Sequence, residues 1–211
     1  MSTAKDEQKD GHEWAERADQ YREEGDLATA GDNYTTSGYA HLSEGLPTRY
    51  CSHVSWALYR LLVAGVCFRM AEEVERCQNR CKQGVLIAED TGKRVKELDS
   101  ASNAYDQARR GAWQEFIGDF RLVGDIDGAN EAYDLAKDWY EHAGDPSSGL
   151  SEQEHMRLHD FFRNVALSRG HDAEEWEHVE TSASLTTWVD YKTKHLPGYL
   201  TELYEEDEWR Y

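Results

Sequence analysis

The sequence predicts an all-α protein, and three observations point that way. Two stretches, Trp14 to Ser37 and Trp113 to Ala136, carry similar residues at identical offsets, and in each the apolar side chains recur at the spacing of a helix face. The chain has only three prolines, and the alternation of apolar and polar residues that is typical of strands is scarce. Its 211 residues suit one compact domain or a short helical array.

Each of the two stretches predicts a helical hairpin. A glycine, Gly25 or Gly124, is expected to end the first helix, and the aspartate after it, Asp26 or Asp125, to cap the second. The matching residues are Trp14, Ala18, Tyr21, Gly25, Asp26, Ala30, Tyr34 and Ser37 in the first stretch, and Trp113, Ile117, Phe120, Gly124, Asp125, Ala129, Tyr133 and Ala136 in the second.

This spacing resembles the tetratricopeptide repeat, whose signature runs Trp, two residues, Leu-Gly, two residues, Tyr, then Ala, three residues, an aromatic residue and later Pro. The chain departs from that signature in two ways: Arg17-Ala18 and Phe116-Ile117 replace the Leu-Gly pair, and the closing Pro is missing unless Pro146 takes its place. The resemblance implies antiparallel hairpins stacked as a right-handed array with C-terminal capping helices. It also implies an adaptor that binds another protein in a concave groove.

The resemblance further implies which side chains line that groove, namely those one step off the packing face of each first helix. Carboxylates outnumber cations among them, which suggests a protein or peptide ligand with some basic character. The implied positions are His12, Ala15, Asp19, Arg22 and Glu23 in the first hairpin, and Ala112, Glu115, Asp119, Leu122 and Val123 in the second.

The domain organisation follows from these assignments. Residues 1–11 are polar and read as a disordered leader, and residues 12–211 as a single all-helical domain. The repeat-like hairpins span 12–41 and 111–143. Between them a divergent hairpin is expected over 50–90, with an apolar helix from Tyr50 to Ala64, a break or bend at Gly65, and a second helix from Phe68 to Ala88.

The C-terminal helices are expected over 151–211. A Gly- and Pro-containing loop precedes Ser151, which with Glu154 resembles a capping box for the next helix. A further helix is predicted from Ala173 to Lys194, ended by Pro197, followed by an aromatic and acidic tail that docks as a cap.

Charge excludes some classes of function. With 23 basic against 42 acidic side chains the net charge is −19, which disfavours nucleic acid because that binding depends on Lys and Arg neutralising phosphates. No apolar run is long enough for a membrane span, so the protein is expected to be cytoplasmic. The acidic excess, spread over the whole chain, resembles proteins of halophilic archaea, in which molar salt screens self-repulsion.

Two sets of residues invite a metal interpretation. The four cysteines, Cys51, Cys67, Cys77 and Cys81, invite a zinc site. Cys77 and Cys81 share a helix face and His53 is near Cys51, which gives a possible four-ligand set, but the paired spacing of a zinc knuckle is missing. Because Cys77 and Cys81 fall in an apolar stripe, small buried thiols are the favoured interpretation. His155 and His159 lie four residues apart without the glutamate of a metalloprotease motif, so a solvated helix face is favoured there.

The sequence therefore favours a non-catalytic adaptor that needs no cofactor and binds a protein or peptide. One alternative is a small helical metal-binding protein or enzyme using the Cys and His residues. Another is a self-assembling structural protein, since seven Trp and twelve Tyr could serve a homodimer interface.

Overall fold

The computed structural model describes residues 10–45, 52–98, 104–145, 153–171, 176–177, 179, 183–205 and 209. Within these residues the chain is all-α, as predicted. The helices are α1 (Gly11–Glu23), α2 (Leu27–Gly45), α3 (Ser52–Met70), α4 (Val74–Leu98), α5 (Ala104–Val123), α6 (Ala129–His142), α7 (Gln153–Ser168) and α8 (Leu185–Tyr204). Residues 1–9 of the predicted leader lie outside the described residues, and Asp10 caps α1 by accepting from His12 N and Glu13 N at 2.9 Å each.

From α1 to α6, each helix packs against the next helix along the chain. Their close approach depends on glycines inside the helices, because a Cβ built at Gly31 would lie 2.6 Å from Phe68 Cε1, and one at Gly118 would lie 2.5 Å from Tyr133 Cε1. An aromatic ring from the neighbouring helix takes the space that a side chain would fill. Helix α7 then packs on α3 and α5, and α8 packs on α6 and α7 with further contacts to α3 and α5.

The first hairpin has the predicted turn. Gly25 has a φ of +80°, a left-handed conformation that suits glycine, and Asp26 caps α2 by accepting a hydrogen bond from Thr29 N at 3.1 Å. Ala30 and Tyr34 are buried beside α1, as the hairpin requires. Local sequence was sufficient to predict this turn.

The second hairpin has a different turn, and the predicted cap at Asp125 is wrong. Asp125 itself adopts a positive φ of 51°, and α6 begins only after Gly128, whose φ is 91° and which makes no side-chain cap. Gly124 is needed for another reason, since a Cβ there would lie 2.6 Å from the Cβ of Cys81 on α4. Tertiary packing, not a left-handed turn, accounts for this glycine.

In the middle segment, two predicted helix boundaries are wrong. Helix α3 runs unbroken through Gly65, where a Cβ would lie 3.0 Å from Cys81 Sγ, so this glycine permits close packing and does not end the helix. The turn to α4 comes later, with Glu72 at a φ of 61°, and α4 begins at Val74 instead of Phe68.

The predicted bounds of the last helix are also wrong. Helix α8 begins at Leu185 instead of Ala173 and continues through Pro197, which was predicted to end it. Buried side chains lie on both sides of this proline, Lys192 and Leu196 before it and Leu200 and Leu203 after it. Burial of one continuous face outweighs the backbone hydrogen bond that a helical proline removes.

Contacts with neighbouring helices fix the position of α8. The carboxylate of Asp145, after α6, accepts from Thr186 N at 3.1 Å and from Thr186 Oγ1 at 2.6 Å. Lys137 of α6 pairs with Asp190 of α8 at 3.1 Å. Beyond α8, Trp209 is buried and lies beneath the guanidinium of Arg22 on α1. Among the described helices, none combines the length and apolar character that crossing a membrane requires.

Candidate functional site

One lysine and two carboxylates, all 0 % exposed, lie at the interface between α5 and α8. The ammonium of Lys192 donates to Glu115 Oε1 at 2.8 Å and to Asp119 Oδ2 at 2.7 Å. We call Glu115, Asp119 and Lys192 the buried charge cluster. Because these ions have left water, removing the ammonium would leave two uncompensated carboxylates in the interior.

Aromatic side chains complete the hydrogen bonding of the cluster. Tyr140 donates to Glu115 Oε2 at 2.9 Å, and the Trp188 indole N–H donates to Glu115 Oε1 at 3.2 Å. Tyr133 donates to Asp119 Oδ1 at 2.7 Å. Every carboxylate oxygen of the cluster thus accepts a bond, and the contacts tie α5, α6 and α8 together.

The pKa values of the cluster reflect competition between burial and pairing. Burial opposes ionisation of Glu115, but the Lys192 ammonium outweighs it and lowers the pKa of that carboxyl. At Asp119 burial prevails and raises the pKa to about 6. Burial opposes the charge of Lys192, yet the two carboxylates outweigh it and raise its pKa. At neutral pH these shifts favour the charged form of all three groups, so the cluster holds two carboxylates and one ammonium.

The structure overturns the expected exposure of the second-hairpin groove positions. Glu115, Asp119 and Val123 are buried, as is Ala112, and only Leu122 remains half-buried. Helix α8 lies against this face of α5 and occupies with its own residues the place expected for a partner. In this structure these side chains are not available to another molecule.

The cluster was missed because its central residue comes from the far end of the chain. Lys192 stands 73 residues from Asp119 in sequence, and it falls on the buried stripe of α8 that also carries Trp188, Val189 and Leu196. A lysine in register with apolar residues at helical spacing was the available signal. Such a lysine predicts a buried partner, though not which one.

The first-hairpin positions are more accessible. His12 and Glu23 are exposed, whereas Asp19 and Arg22 are half-buried and pair with each other at 3.3 Å. Asp19 also accepts a short hydrogen bond from the hydroxyl of Tyr34 on α2. The structure therefore brings Asp19 and Arg22 together and leaves His12 and Glu23 apart from them at either end of α1. Ala15 is buried.

The predicted solvated face at His155 and His159 is also wrong, because both side chains are buried on α7. The ring of His159 is tilted against that of Trp188, with the centroids 4.2 Å apart, and His155 lies near Tyr140, with the centroids 5.6 Å apart. Burial lowers the pKa of His155 to about 4, so its imidazole is neutral at neutral pH. The two histidines thus belong to the surroundings of the buried charge cluster.

The cysteines are small buried side chains in the part of the chain that the structure describes. Cys67, Cys77 and Cys81 are free thiols with 0 % exposure, and burial raises the pKa of Cys67 to about 12. Cys51 lies outside the described residues. Within those residues, His, Cys, Asp and Glu side chains form no group placed to hold a metal ion.

A surface cleft lies between α4, α5 and α6. Its volume is about 210 Å³, and the guanidinium of Arg110 lies 4.9 Å from the centroid of the Trp139 ring on one of its walls. Trp113 is 1 % exposed and lines the cleft from α5. The lining residues, which we call the α4–α6 cleft, are Ala88, Glu89, Gly92, Lys93, Arg110, Trp113, Gln114 and Trp139.

In comparisons with protein-family models, with curated proteins and with solved structures, no match to this chain was found. What can be inferred about its function therefore comes from the geometry of its own residues.

Proposed function

We propose that this protein is a non-catalytic interaction module that binds a protein or peptide partner around the α4–α6 cleft. The cleft carries the proposal because it combines a concave shape with two tryptophans, Trp113 and Trp139, and a cation, Arg110, stacked on one of them. Tryptophan and arginine are the side chains most enriched at energetically dominant positions of protein interfaces.

Exposed apolar side chains beside the cleft support the same surface. Leu86 of α4 is 64 % exposed and stands three residues before Glu89, and Leu135 of α6 is 49 % exposed and stands four residues before Trp139. Residues at these spacings are neighbours on a helix surface. The cleft is thus bordered on two helices by apolar groups in water, an arrangement typical of interaction sites.

We also propose that the hairpins form a tetratricopeptide-like right-handed array whose inner face is closed by α7 and α8. Supporting this, the tyrosine hydroxyl of the second helix donates to an aspartate of the first helix in both repeat-like hairpins, from Tyr34 to Asp19 and from Tyr133 to Asp119. Closure of the inner face by its own helices leaves the outer cleft as the binding surface.

The proposal includes the setting of the protein. The net charge of −19, spread over the whole chain, is what a cytoplasm of molar salt would favour, because such salt shortens the Debye length to about 3 Å. Partner binding should then depend more on apolar contacts than on long-range attraction. We accordingly assign the protein to the cytoplasm of a salt-accumulating cell of halophilic archaeal type.

The test is capture of a partner from lysate of the source cells at their native salt, by wild-type protein and by two variants. L86Q/L135Q changes the border of the cleft at exposed positions. M156Q is the matched control, since Met156 is 45 % exposed on α7, which contributes no residue to the cleft.

A partner retained by wild type and M156Q but lost by L86Q/L135Q is the expected result. A partner that L86Q/L135Q still captures would show that binding occurs elsewhere on the molecule. Failure to capture any protein at any salt would overturn the adaptor function, and self-association in the same samples would instead favour a homodimer.

A further inference from the structure

The α4–α6 cleft is a positively charged spot on a strongly acidic protein. Lys93 and Arg110 face a single carboxylate, Glu89, in its lining, whereas the whole chain carries −19. In the described part of the chain neither cation makes an ion pair, although Arg109, the residue beside Arg110, pairs with Glu154 at 3.2 Å. With so many carboxylates available, two cations left together without one indicate a site for an external anion.

The arginine is held ready for such a ligand. Its guanidinium carbon lies over the ring of Trp139, 4.9 Å from the centroid, and the buried Arg110 Nε has no hydrogen-bond acceptor among the described residues. A guanidinium presents five N–H donors in a planar fork that matches a carboxylate. Attraction to the face of a ring depends on the charge of the guanidinium and requires no hydrogen bond from these donors.

A neutral donor lies in the floor of the same cleft. The indole N–H of Trp113 is buried and has no acceptor in the part of the chain that the structure describes. A Cβ built at Gly92 would lie 3.9 Å from Trp113 Cδ1, the ring atom bonded to Nε1, so this part of the indole lies beside Gly92. A buried N–H without an acceptor is unfavourable, so an acceptor that reaches this indole N–H from the cleft would be favoured.

Size and charge restrict the ligand. A volume of about 210 Å³ corresponds to roughly seven waters at about 30 Å³ each, which is room for one residue of an extended chain. Two cations and one carboxylate in the lining give a net charge of +1. That balance suits a single carboxylate better than a phosphate group, which carries about −1.5 to −2 near pH 7.

We propose that the α4–α6 cleft binds a carboxylate held beside an apolar group and presented by an extended segment of the partner, with Arg110 and Lys93 as charged donors. The Trp113 indole N–H is the neutral donor, and the ring of Trp139 covers the apolar part. This assignment rests on the proposed function in that the partner supplies the segment. The carboxylate can be a chain terminus or an acidic side chain, and the two share this chemistry.

The test uses the ¹⁵N-labelled full-length protein at the lowest salt at which it stays folded, following the Trp113 indole N–H by NMR. N-acetyl-leucine supplies a terminal carboxylate and N-acetyl-glutamic acid amide a side-chain carboxylate. Their neutral counterparts are N-acetyl-leucinamide and N-acetyl-glutamine amide. The expected result is a saturable shift with at least one acid and a much smaller one with its neutral counterpart, and the responding acid identifies the source.

Two variants and a control locate the interaction. R110Q is expected to weaken binding by at least about ten-fold, because a hydrogen bond between two charged groups is lost, and K93Q by less, because Lys93 is exposed. R94Q removes the same charge one residue away, from a side chain that pairs with Asp90 at 2.7 Å and does not line the cleft. It should change affinity less than two-fold.

Equal binding of acids and amides, an unmoved Trp113 signal, or equal effects of R94Q and R110Q would overturn the assignment. Its failure is separable from that of the proposed function. If a captured partner binds R110Q as well as wild type, the interaction module is supported and the carboxylate site is refuted. Probe binding without any captured partner would leave the site standing without the module.

Discussion

Replacing Lys192 by Met is expected to destabilise the fold by about 3–5 kcal/mol, the range observed when one partner of a buried ion pair is removed. The structure places this case at the severe end because all three members of the buried charge cluster are 0 % exposed and no water can replace the ammonium. The carboxylates of Glu115 and Asp119 would then share only the aromatic donors. Methionine keeps the length of the lysine stem, so lost packing contributes little.

The matched control is Lys137→Met, which removes a lysine that also joins α8 to the rest of the chain. Lys137 pairs with Asp134 at 3.0 Å and with Asp190 at 3.1 Å, but its side chain is 28 % exposed and those of its partners more so. Exposed pairs contribute about 0–1 kcal/mol. The two variants thus remove the same group from similar contacts and differ in burial.

Urea unfolding at fixed salt, followed by circular dichroism, measures the free energy of unfolding of both variants. In thermal unfolding, the melting temperature of a chain of this size should fall by about 2–4 °C for each kcal/mol lost. A third variant, E115Q/D119N/K192M, removes the charges together and should recover much of the lost stability, because the penalty comes from unpaired charge. If K192M proves no more destabilising than K137M, the cluster does not hold α8 in place and the reasoning fails.

Further changes test other parts of the interior. His155→Phe should reduce acid sensitivity, because burial lowers its folded pKa from 6.5 to about 4, so the unfolded chain takes up the proton first as the pH falls. Between pH 6.5 and 4, the free energy of unfolding of the wild type should therefore fall by about 3 kcal/mol more than that of this variant. Urea unfolding at a series of pH values that gives both proteins the same decrease would contradict this. Tyr133→Phe should lower the free energy of unfolding by about 2 kcal/mol, since it removes a hydrogen bond to a buried carboxylate. Tyr34→Phe should lower it by about 1 kcal/mol, since its acceptor is partly solvated. Equal decreases for the two variants in urea unfolding would argue against the role of burial. Gly118→Ala should destabilise the protein by about 1–3 kcal/mol, because the added Cβ overlaps a tyrosine ring. Gly198→Ala should stabilise α8 by about 0.5–1 kcal/mol, because a Cβ there would meet no atom within 4 Å. Melting temperatures that move in the same direction for the two variants would refute this contrast.

The candidate site shows how far sequence reasoning can reach. Apolar periodicity correctly placed the buried face of α5 and, at Trp188 and Val189, the start of the buried face of α8. The tetratricopeptide resemblance singled out Glu115 and Asp119 as notable positions on α5. It assigned them to an open groove because nothing local distinguishes a carboxylate facing solvent from one facing a distant lysine. The cleft was not predicted at all, since Gly92, Arg110 and Trp139 come from three helices and share no motif.

The sequence by itself determined the all-α class and the turn at Gly25 and Asp26, because helix periodicity and capping depend on residues a few positions apart. Only the tertiary structure decided that α3 passes through Gly65, that α8 passes through Pro197, and that Lys192 meets its carboxylates. In each of these places burial against another helix outweighs the local preference of the backbone. Such burial depends on which helices meet, and the local pattern of one helix does not contain that information.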